Sequence, residues 1–327
     1  MSDSLPIVVY FCRYQDKDSA EKFACFFDSY KRHPAGCEHE LFIIKKGFQE
    51  HESIWEAWIR QLDGIPFQIR TYPDRYFVFG YIRNLMEEFP DRYILLCTAT
   101  NEIRADQWLD LYTRHANPDR VLAAMGSYWP HFSNDILTYG LPPLTLKNFL
   151  RSSSATRYKW WRQFWGYPPR DTFYNTDCFH PCANPHLRTN SLMVPPRLLE
   201  RFVYWPRNEN VVSKEVDLLF EMGKFSLTAQ AIRVGLEPLV VGADGRSYTI
   251  GEWPQSKTYC SGDHENAIFA DRLNRVYENS SIERKEELTK ETYGYEQEDV
   301  RRFIEQVLSS DTSQIEAFFQ KYGTKYK

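Results

Sequence analysis

Two carboxylates stand close together in the segment 214–223. Glu215 and Asp217 follow a lysine there, and apolar residues recur at helical spacing around them. A carboxylate can take a proton from a hydroxyl group, and the first turn of a helix stabilises its ionised form. Residues two apart do not share a helix face, so we expect only one of the pair to point into a cleft. The alternative is that both decorate a helix N-terminus.

A polar loop follows the apolar run 93–97. It contains Thr98, Thr100, Asn101 and Glu102. A divalent ion that bridges phosphates prefers carboxylate oxygens, and threonine supplies no charge. Either Glu102 is a metal ligand, or arginine, lysine and backbone N–H groups neutralise the phosphates without a metal. The loop could also do no more than close a buried strand.

Other polar residues could bind an anionic ligand. Arg188 and Asn190 alternate with His186, so they share one face of an extended segment, and that row is too polar for a core without partners. Arg83 can clamp a diphosphate through two hydrogen bonds. His264 is a ligand or proton carrier at neutral pH. The alternative for Arg188 and Asn190 is a structural network, and for Arg83 it is a surface arginine on an amphipathic helix. For His264 it is an exposed position next to Asp263, which would cap a helix.

The elements that would position these residues alternate regularly. Apolar runs predict strands, and 3.6-residue periodicity predicts helices between them. Strands are expected at 7–12, 40–44, 67–70, 93–97 and 121–125, with helices at 18–32, 54–62, 76–89 and 108–115. Such alternation indicates an α/β fold with a mostly parallel sheet and helices on both faces. Ligands bind such sheets beyond the carboxyl ends of the strands.

The rest of the chain predicts additions to this sheet. Residues 127–186 are rich in tryptophan, tyrosine, proline and arginine, which is typical of an insertion with short helices. From residue 280 onward the chain is charged and amphipathic, and we expect two terminal helices near 283–309 and 312–322. We therefore expect a first domain at 1–275 and a helical extension at 276–327.

Composition narrows the class of protein. The 327 residues carry a net charge of −4 and show no basic stripe, which argues against a nucleic-acid partner. No apolar run is long enough for a membrane span, the N-terminus lacks a signal peptide, and the seven cysteines are scattered, so we expect a cytoplasmic protein with reduced thiols. Glycine-rich phosphate loops and the G-x-S-x-G elbow are missing from the sequence.

Several segments together resemble the family-2-type glycosyltransferases of the GT-A fold, in particular a branch that acts on bacterial surface polysaccharides. They are 7–14, 79–84, 93–103 with Trp108 and Leu109, 186–193, 214–223, and 244–266. The resemblance spans roughly residues 5–275. Thr98 and Thr100 stand where the family has its acidic, metal-binding Asp-x-Asp triplet.

The resemblance implies a Rossmann-like GT-A fold and a nucleotide-sugar donor, with Mn²⁺ or Mg²⁺ as the expected divalent metal if one is used. It implies donor contacts from Tyr10, Cys12, Tyr14, Arg83, Asn84, Thr98, Thr100 and Asn101. It further implies acceptor or phosphate contacts from Arg188, Asn190 and His264, and catalysis by Glu215 as base with Asp217 beside it.

The function expected from this resemblance is transfer of a sugar, with inversion, to a cell-surface glycan or a lipid-linked acceptor. Peripheral contact with the inner face of a membrane and a homodimer formed through the terminal helices are compatible with it. The first rival is a non-catalytic carbohydrate-binding or scaffold protein that keeps the fold, because the acidic triplet is missing. The second is a nucleotidyl- or sulfotransferase, although residues 13–17 are not glycine-rich.

Overall fold

A computed structural model describes residues 5–14, 18–73, 78–129, 178–180, 183–207 and 214–323. Its centre is an eight-stranded sheet with the order β11-β10-β6-β9-β4-β1-β2-β3. These strands are β1 (Ile7–Arg13), β2 (Glu40–Lys46), β3 (Gln68–Thr71), β4 (Ile94–Thr98), β6 (Arg120–Ala123), β9 (Ser191–Val194), β10 (Glu237–Val241) and β11 (Ser247–Tyr248). Two small two-stranded sheets pair β5 (Glu102–Ile103) with β12 (Phe269–Ala270), and β7 (Gly126–Ser127) with β8 (His186–Leu187).

The sheet is mostly parallel, as the sequence predicted. Strand β1 pairs in parallel with β2 and β4, and β2 pairs in parallel with β3. Strand β9 runs antiparallel between β4 and β6, and β11 is an antiparallel edge. The amino end of β9 therefore lies at the same edge of the sheet as the carboxyl ends of its parallel neighbours.

Helices cover both faces of this sheet. In the first half of the chain they are α1 (Ser19–Arg32), α2 (Glu52–Ile59), α3 (Val78–Glu88) and α4 (Trp108–Thr113). In the second half they are α5 (Leu198–Arg201), α6 (Lys214–Met222), α7 (Leu227–Arg233), α8 (Trp253–Ser256), α9 (Arg272–Glu278), α10 (Ile282–Tyr293), α11 (Gln297–Ser309) and α12 (Ser313–Gly323).

Side chains of alternate strand residues pack into two separate cores, one on each face of the sheet. Val9 and Phe11 of β1 pack with Phe79 and other residues of α3 and α6, whereas Tyr10 packs with Phe26 and other residues of α1, α2 and α4. Because β1 is buried on both faces, its sequence is a continuous apolar run and not an alternating one. This is why its position could be read directly from the sequence.

The terminal helices differ from the expectation. The predicted helix 283–309 is two helices, because α10 ends at Tyr293 with Gly294 as its C-cap, and a capping box at Glu296 starts α11. Ile315 and Phe319 of α12 belong to the same core as α3 and α6, so these helices dock on their own chain. The expected boundary at residue 275 falls inside α9 and stays a prediction.

Most of the predicted insertion lies outside the described residues, at 130–177 and 181–182. Over the ranges that the structure does cover, no helix is both long and apolar enough to cross a membrane. The six cysteines found in those ranges are all free thiols.

Candidate active site

Polar residues gather at the edge of the sheet where the parallel strands have their carboxyl ends, on the face that carries α3 and α6. This edge is called the ligand edge below, because sheets of this type bind ligands there. Arg13, Lys46 and Thr98 end β1, β2 and β4, and Asn190 precedes β9. Each continues the alternation that places Phe11 in the core beneath this face. Lys46 is only 2% exposed, and its Nζ lies 5.7 Å from the ring centre of Tyr81 in α3.

The loop after β4 is fastened to the segment before β9. The Thr98 hydroxyl donates to the side-chain oxygen of Asn101 at 2.8 Å, and the Asn101 amide donates to the carbonyl of Asn190 at 2.7 Å. The Thr98 backbone N–H donates to that same carbonyl at 3.2 Å. Asn101 is buried, so this loop is a fixed part of the site and Thr98 and Asn190 are neighbours.

Helix α6 presents two carboxylates, four residues apart, to the same edge. Asp217 Oδ2 accepts the backbone N–H of Val78 at 3.1 Å, and Glu221 Oε1 accepts the backbone N–H of Thr189 at 3.2 Å. Residues at this spacing share one helix face. Helix α6 therefore spans the distance from the start of α3 to the segment before β9. The Glu215 side chain lies outside what the structure describes.

The carboxyl group of Asp217 is enclosed by the fold. Burial raises its pKa to about 8, against the opposing effects of the Val78 hydrogen bond and the Lys46 charge. Its Oδ1 is enclosed and has no hydrogen-bond partner among the described residues. At pH 7 most of this group is protonated.

The residues after β4 do not fit a divalent metal ion. Glu102 Oε2 lies 3.3 Å from Arg275 and 3.5 Å from Arg104, so its charge is already paired. Arg275 also donates to the Thr100 carbonyl at 3.1 Å. Among the residues described, no group of three or more His, Cys, Asp or Glu is arranged to hold a metal. We therefore derive no step through a metal.

Arg188 and Asn190 meet at one buried carboxylate, Asp271. Arg188 Nη2 lies 3.3 Å from Asp271 Oδ2, and the Asn190 amide donates to that same oxygen. The other oxygen caps α9 by accepting the backbone N–H of Leu273 at 2.7 Å and of Asn274 at 3.0 Å. The polar row predicted from the sequence is thus held in place from α9.

His264 belongs to a neighbouring ion network. Its Nδ1 lies 3.0 Å from Glu278 Oε1, and its ring stacks on Tyr277 at 4.7 Å. Burial lowers its pKa. His264 is 4% exposed with a left-handed φ of 62°, so it is not the exposed turn residue of the alternative reading. Arg104 shares Glu278 with it at 3.0 Å, which gives the histidine a structural setting.

Two of the expected donor contacts lie in the core of the opposite face. Tyr10 stacks on Phe26 with ring centres 4.2 Å apart, and Cys12 is 1% exposed beside it. Both belong to the face that α1 covers because residues of a strand alternate between faces. Their side chains are packed in the core and do not face the ligand edge.

The other expected donor contacts are more accessible. Tyr14 is half-buried, with its ring 4.4 Å from that of His51 and 5.5 Å from that of Phe48. Arg83 pairs with Glu87 on its own helix at 2.8 Å. Burial raises the pKa of the Tyr72 phenol, and a hydrogen bond with the Asn84 side chain opposes that rise. By the same alternation as Tyr10 and Cys12, Tyr14 lies on the α1 side, where its ring also packs on Trp58.

Sequence reasoning missed three residues of this edge. Glu221 could have been found, since it stands four residues after Asp217 on the same predicted helix. Asp271 carries a capping-box pattern with Asn274, which signals a helix start but not its bond to Arg188. Lys46 gave no signal beyond a charged residue after an apolar run.

No protein-family model matches the chain, and neither does any curated protein. Solved structures do. Mouse xyloside xylosyltransferase 1 in its apo form aligns over 66% of this chain and 72% of its own, with 9% identity and a TM-score of 0.34. The galactosyltransferase LgtC, in complex with donor and acceptor sugar analogs, aligns over 91% of this chain and 99% of its own, with 10% identity and a TM-score of 0.38.

An active-site mutant of LgtC aligns over 89% of this chain and 98% of its own, with 8% identity and a TM-score of 0.42. All three TM-scores lie below 0.5.

Proposed function

We propose that the chain is a glycosyltransferase that moves a sugar from a nucleotide-sugar donor to a glycan or lipid-linked acceptor of the cell surface. The observation that supports this is a series of contacts at the ligand edge. Asp217 joins α6 to the start of α3, Glu221 joins the same helix to residue 189, and Asn190 joins that segment to Thr98.

This edge supplies groups that a nucleotide sugar needs. Tyr14, half-buried on the α1 side of the end of β1, is the expected contact for the base. Thr98, Thr100 and Asn101 lie at the centre of the edge, and Arg188 and Asn190 supply N–H donors for phosphate or acceptor oxygens. The expected partners are a nucleotide sugar and a glycan, and a cytoplasmic site of action belongs to the same proposal.

The reaction is a displacement at the anomeric carbon. The acceptor oxygen forms the new bond as its proton passes to Glu215, and the bond to the donor phosphate breaks, so that the nucleoside diphosphate leaves with the electron pair. The transition state resembles an oxocarbenium ion, which nearby carboxylates stabilise. Asp217 is mostly protonated at pH 7 because its pKa is about 8, and this leaves Glu215 as the base at neutral pH.

A panel of nucleotide sugars, assayed for hydrolysis and for transfer to simple glycosides, tests the proposal. We expect turnover of one donor by the native chain. Glu215→Gln should lower turnover by at least about a hundredfold and leave donor affinity within about twofold. Glu286→Gln, at an exposed position on α10, is the control for loss of one carboxylate. Failure to bind any nucleotide in calorimetry contradicts the proposal.

A non-catalytic carbohydrate-binding protein is the second candidate, because Thr98 and Thr100 supply no carboxylate. The same assays separate the two. A binding protein would retain nucleotide or glycan affinity and show no turnover, and Glu215→Gln would then change nothing. A rate that rises with pH through about 8 and disappears in Asp217→Asn would move the base from Glu215 to Asp217.

A further inference from the structure

Three arginines surround the loop after β4, and each is matched by a carboxylate. The pairs are Arg104 with Glu278, Arg275 with Glu102, and Arg188 with Asp271. These acidic side chains are therefore already bound to cations of the protein. A ligand that carries negative charge must find its positive partner among groups other than a metal held by these carboxylates.

Arg188 differs from the other two arginines in how little of its hydrogen-bonding capacity is used. Its partner Asp271 accepts from three further donors, those of Asn190, Leu273 and Asn274. The distance from Arg188 to Asp271 is 3.3 Å, longer than is usual for a charge-assisted bond.

The Nε atom of Arg188 is buried and has no partner among the described residues. A guanidinium group has five N–H donors, and the hydrogen bond to Asp271 is the one that the Arg188 side chain makes with the described residues. One face of the group is covered by the ring of Tyr259, whose centre is 5.1 Å away. The side chain is 11% exposed, which means that an anion bound to it would be largely shielded from water.

Arg188 is also placed where the site needs a cation. Two residues along the chain, the carbonyl of Asn190 accepts hydrogen bonds from Thr98 and Asn101 of the loop after β4. One residue along, the N–H of Thr189 binds Glu221 of α6. The backbone around Arg188 thus joins the loop that lacks the acidic triplet to the helix that carries the carboxylates.

We propose that the guanidinium of Arg188, and not a divalent ion, binds the diphosphate of the donor. The identity of the ligand as a nucleoside diphosphate rests on the proposed function. A planar guanidinium matches two phosphate oxygens through parallel N–H bonds, which a metal held by carboxylates would otherwise do.

Calorimetry with pyrophosphate and with UDP, GDP, ADP and CDP tests this, each titrated in EDTA and again with Mn²⁺ or Mg²⁺. We expect one nucleoside diphosphate to bind with an affinity that changes by less than about twofold between the two conditions. Arg188→Gln should weaken that binding by at least about tenfold, because a charge-assisted bond is lost. Arg272→Gln, on exposed α9 surface, removes one charge nearby and should have no effect.

Arg188→Gln leaves Asp271 without its cation and so can unfold the site. The double variant Arg188→Gln with Asp271→Asn keeps a neutral, hydrogen-bonded pair, and circular dichroism should show it folded. Binding that requires Mn²⁺ or Mg²⁺, the absence of any binding, or a folded double variant that binds like the native chain overturns the inference. Metal-free binding through Arg188 without sugar transfer supports it and removes only the proposed function.

Discussion

The carboxylate of Asp217 accepts a hydrogen bond from the backbone N–H of Val78, 139 residues earlier in the chain. Val78 is the first residue of α3, and its N–H has no partner within that helix. Asp217 thus supplies from α6 the acceptor that a capping residue would normally supply. This bond fixes the angle at which α6 approaches the ligand edge, so the side chains of α6 depend on the start of α3.

Replacing Asp217 should make stability less sensitive to alkaline pH. Its folded pKa of about 8 lies above the ordinary value of 3.8, so the folded state binds the extra proton and stability falls as pH rises from about 4 to 8. Asp217→Asn keeps an acceptor for Val78 and should raise the unfolding free energy at pH 8 by roughly 1–3 kcal/mol. Urea unfolding at pH 4 and pH 8 measures this.

The exposed Asp28→Asn on α1 is the control for that series and should change stability equally at both pH values. If Asp217→Asn is destabilising by the same amount at pH 4 and pH 8, the carboxyl group is not protonated in the folded protein.

Asp271 should be the most costly single carboxylate to remove. Asp271→Ala takes away the cap of α9 and leaves Arg188 as a buried cation without its partner. We expect a loss of about 3–5 kcal/mol, which is typical when one member of a buried ion pair is removed. Ser281→Ala removes only a helix cap, on α10, and should cost about 1 kcal/mol. Equal losses in the two variants would show that the ion pair between Arg188 and Asp271 does not contribute to stability.

His186 should contribute to acid sensitivity. Burial lowers its pKa to about 4, while its Nδ1 is hydrogen-bonded to the Asn184 carbonyl. The folded state therefore binds fewer protons than the unfolded state, and stability falls as pH drops from about 6.5 to 4. His186→Gln should reduce the loss of unfolding free energy between about pH 6.5 and pH 4 by up to about 3 kcal/mol.

Chemical denaturation at several pH values between 7 and 4 measures the slope for His186. His33→Gln, at a position near the surface beside Asp106, is the comparison variant. An unchanged slope in His186→Gln would mean that the acid sensitivity comes from other groups.

Gly126 has no room for a side chain. A Cβ at this position would lie 2.5 Å from the ring of Trp253, which is fully buried and cannot move aside. Gly126→Ala should therefore destabilise the protein by about 1–3 kcal/mol through overpacking. It should also disturb the pairing of Gly126 with Leu187, close to Arg188.

Gly64→Ala is the comparison variant, because at Gly64 the backbone conformation and not the available space opposes a side chain. There is open space around Gly64 but its φ is +81°, so the cost should be that of backbone strain, about 1 kcal/mol. Thermal unfolding compares the two variants. A Gly126→Ala protein as stable as the native chain would show that the Trp253 contact is looser than described.

The sheet and the first four helices could be predicted because their signals are local. Strands β1 and β4 are apolar runs buried on both faces, and α1 repeats its aromatic residues at helical spacing. The break at Gly294 was missed because the residues on both sides continue a helical pattern, while the cap at Glu296 depends on side-chain bonds to Asp299.

The site was harder to predict because its contacts are distant in sequence. Arg188 meets Asp271 across 83 residues, and no periodicity reports such a pairing. Tyr10 and Cys12 were assigned by the place where their strand ends, yet alternation turns both toward α1. Phe11, Lys46 and Thr98 face the other way, and the sequence carries no mark of which face holds the ligand.

The reversed direction of β9 affects how this architecture can diversify. Every parallel strand delivers the chain outward at the ligand edge, whereas β9 receives there the chain that arrives from residues upstream of it. Exchanging that upstream stretch would change which residues reach this edge and would leave the pairing of β9 with β4 and β6 in place.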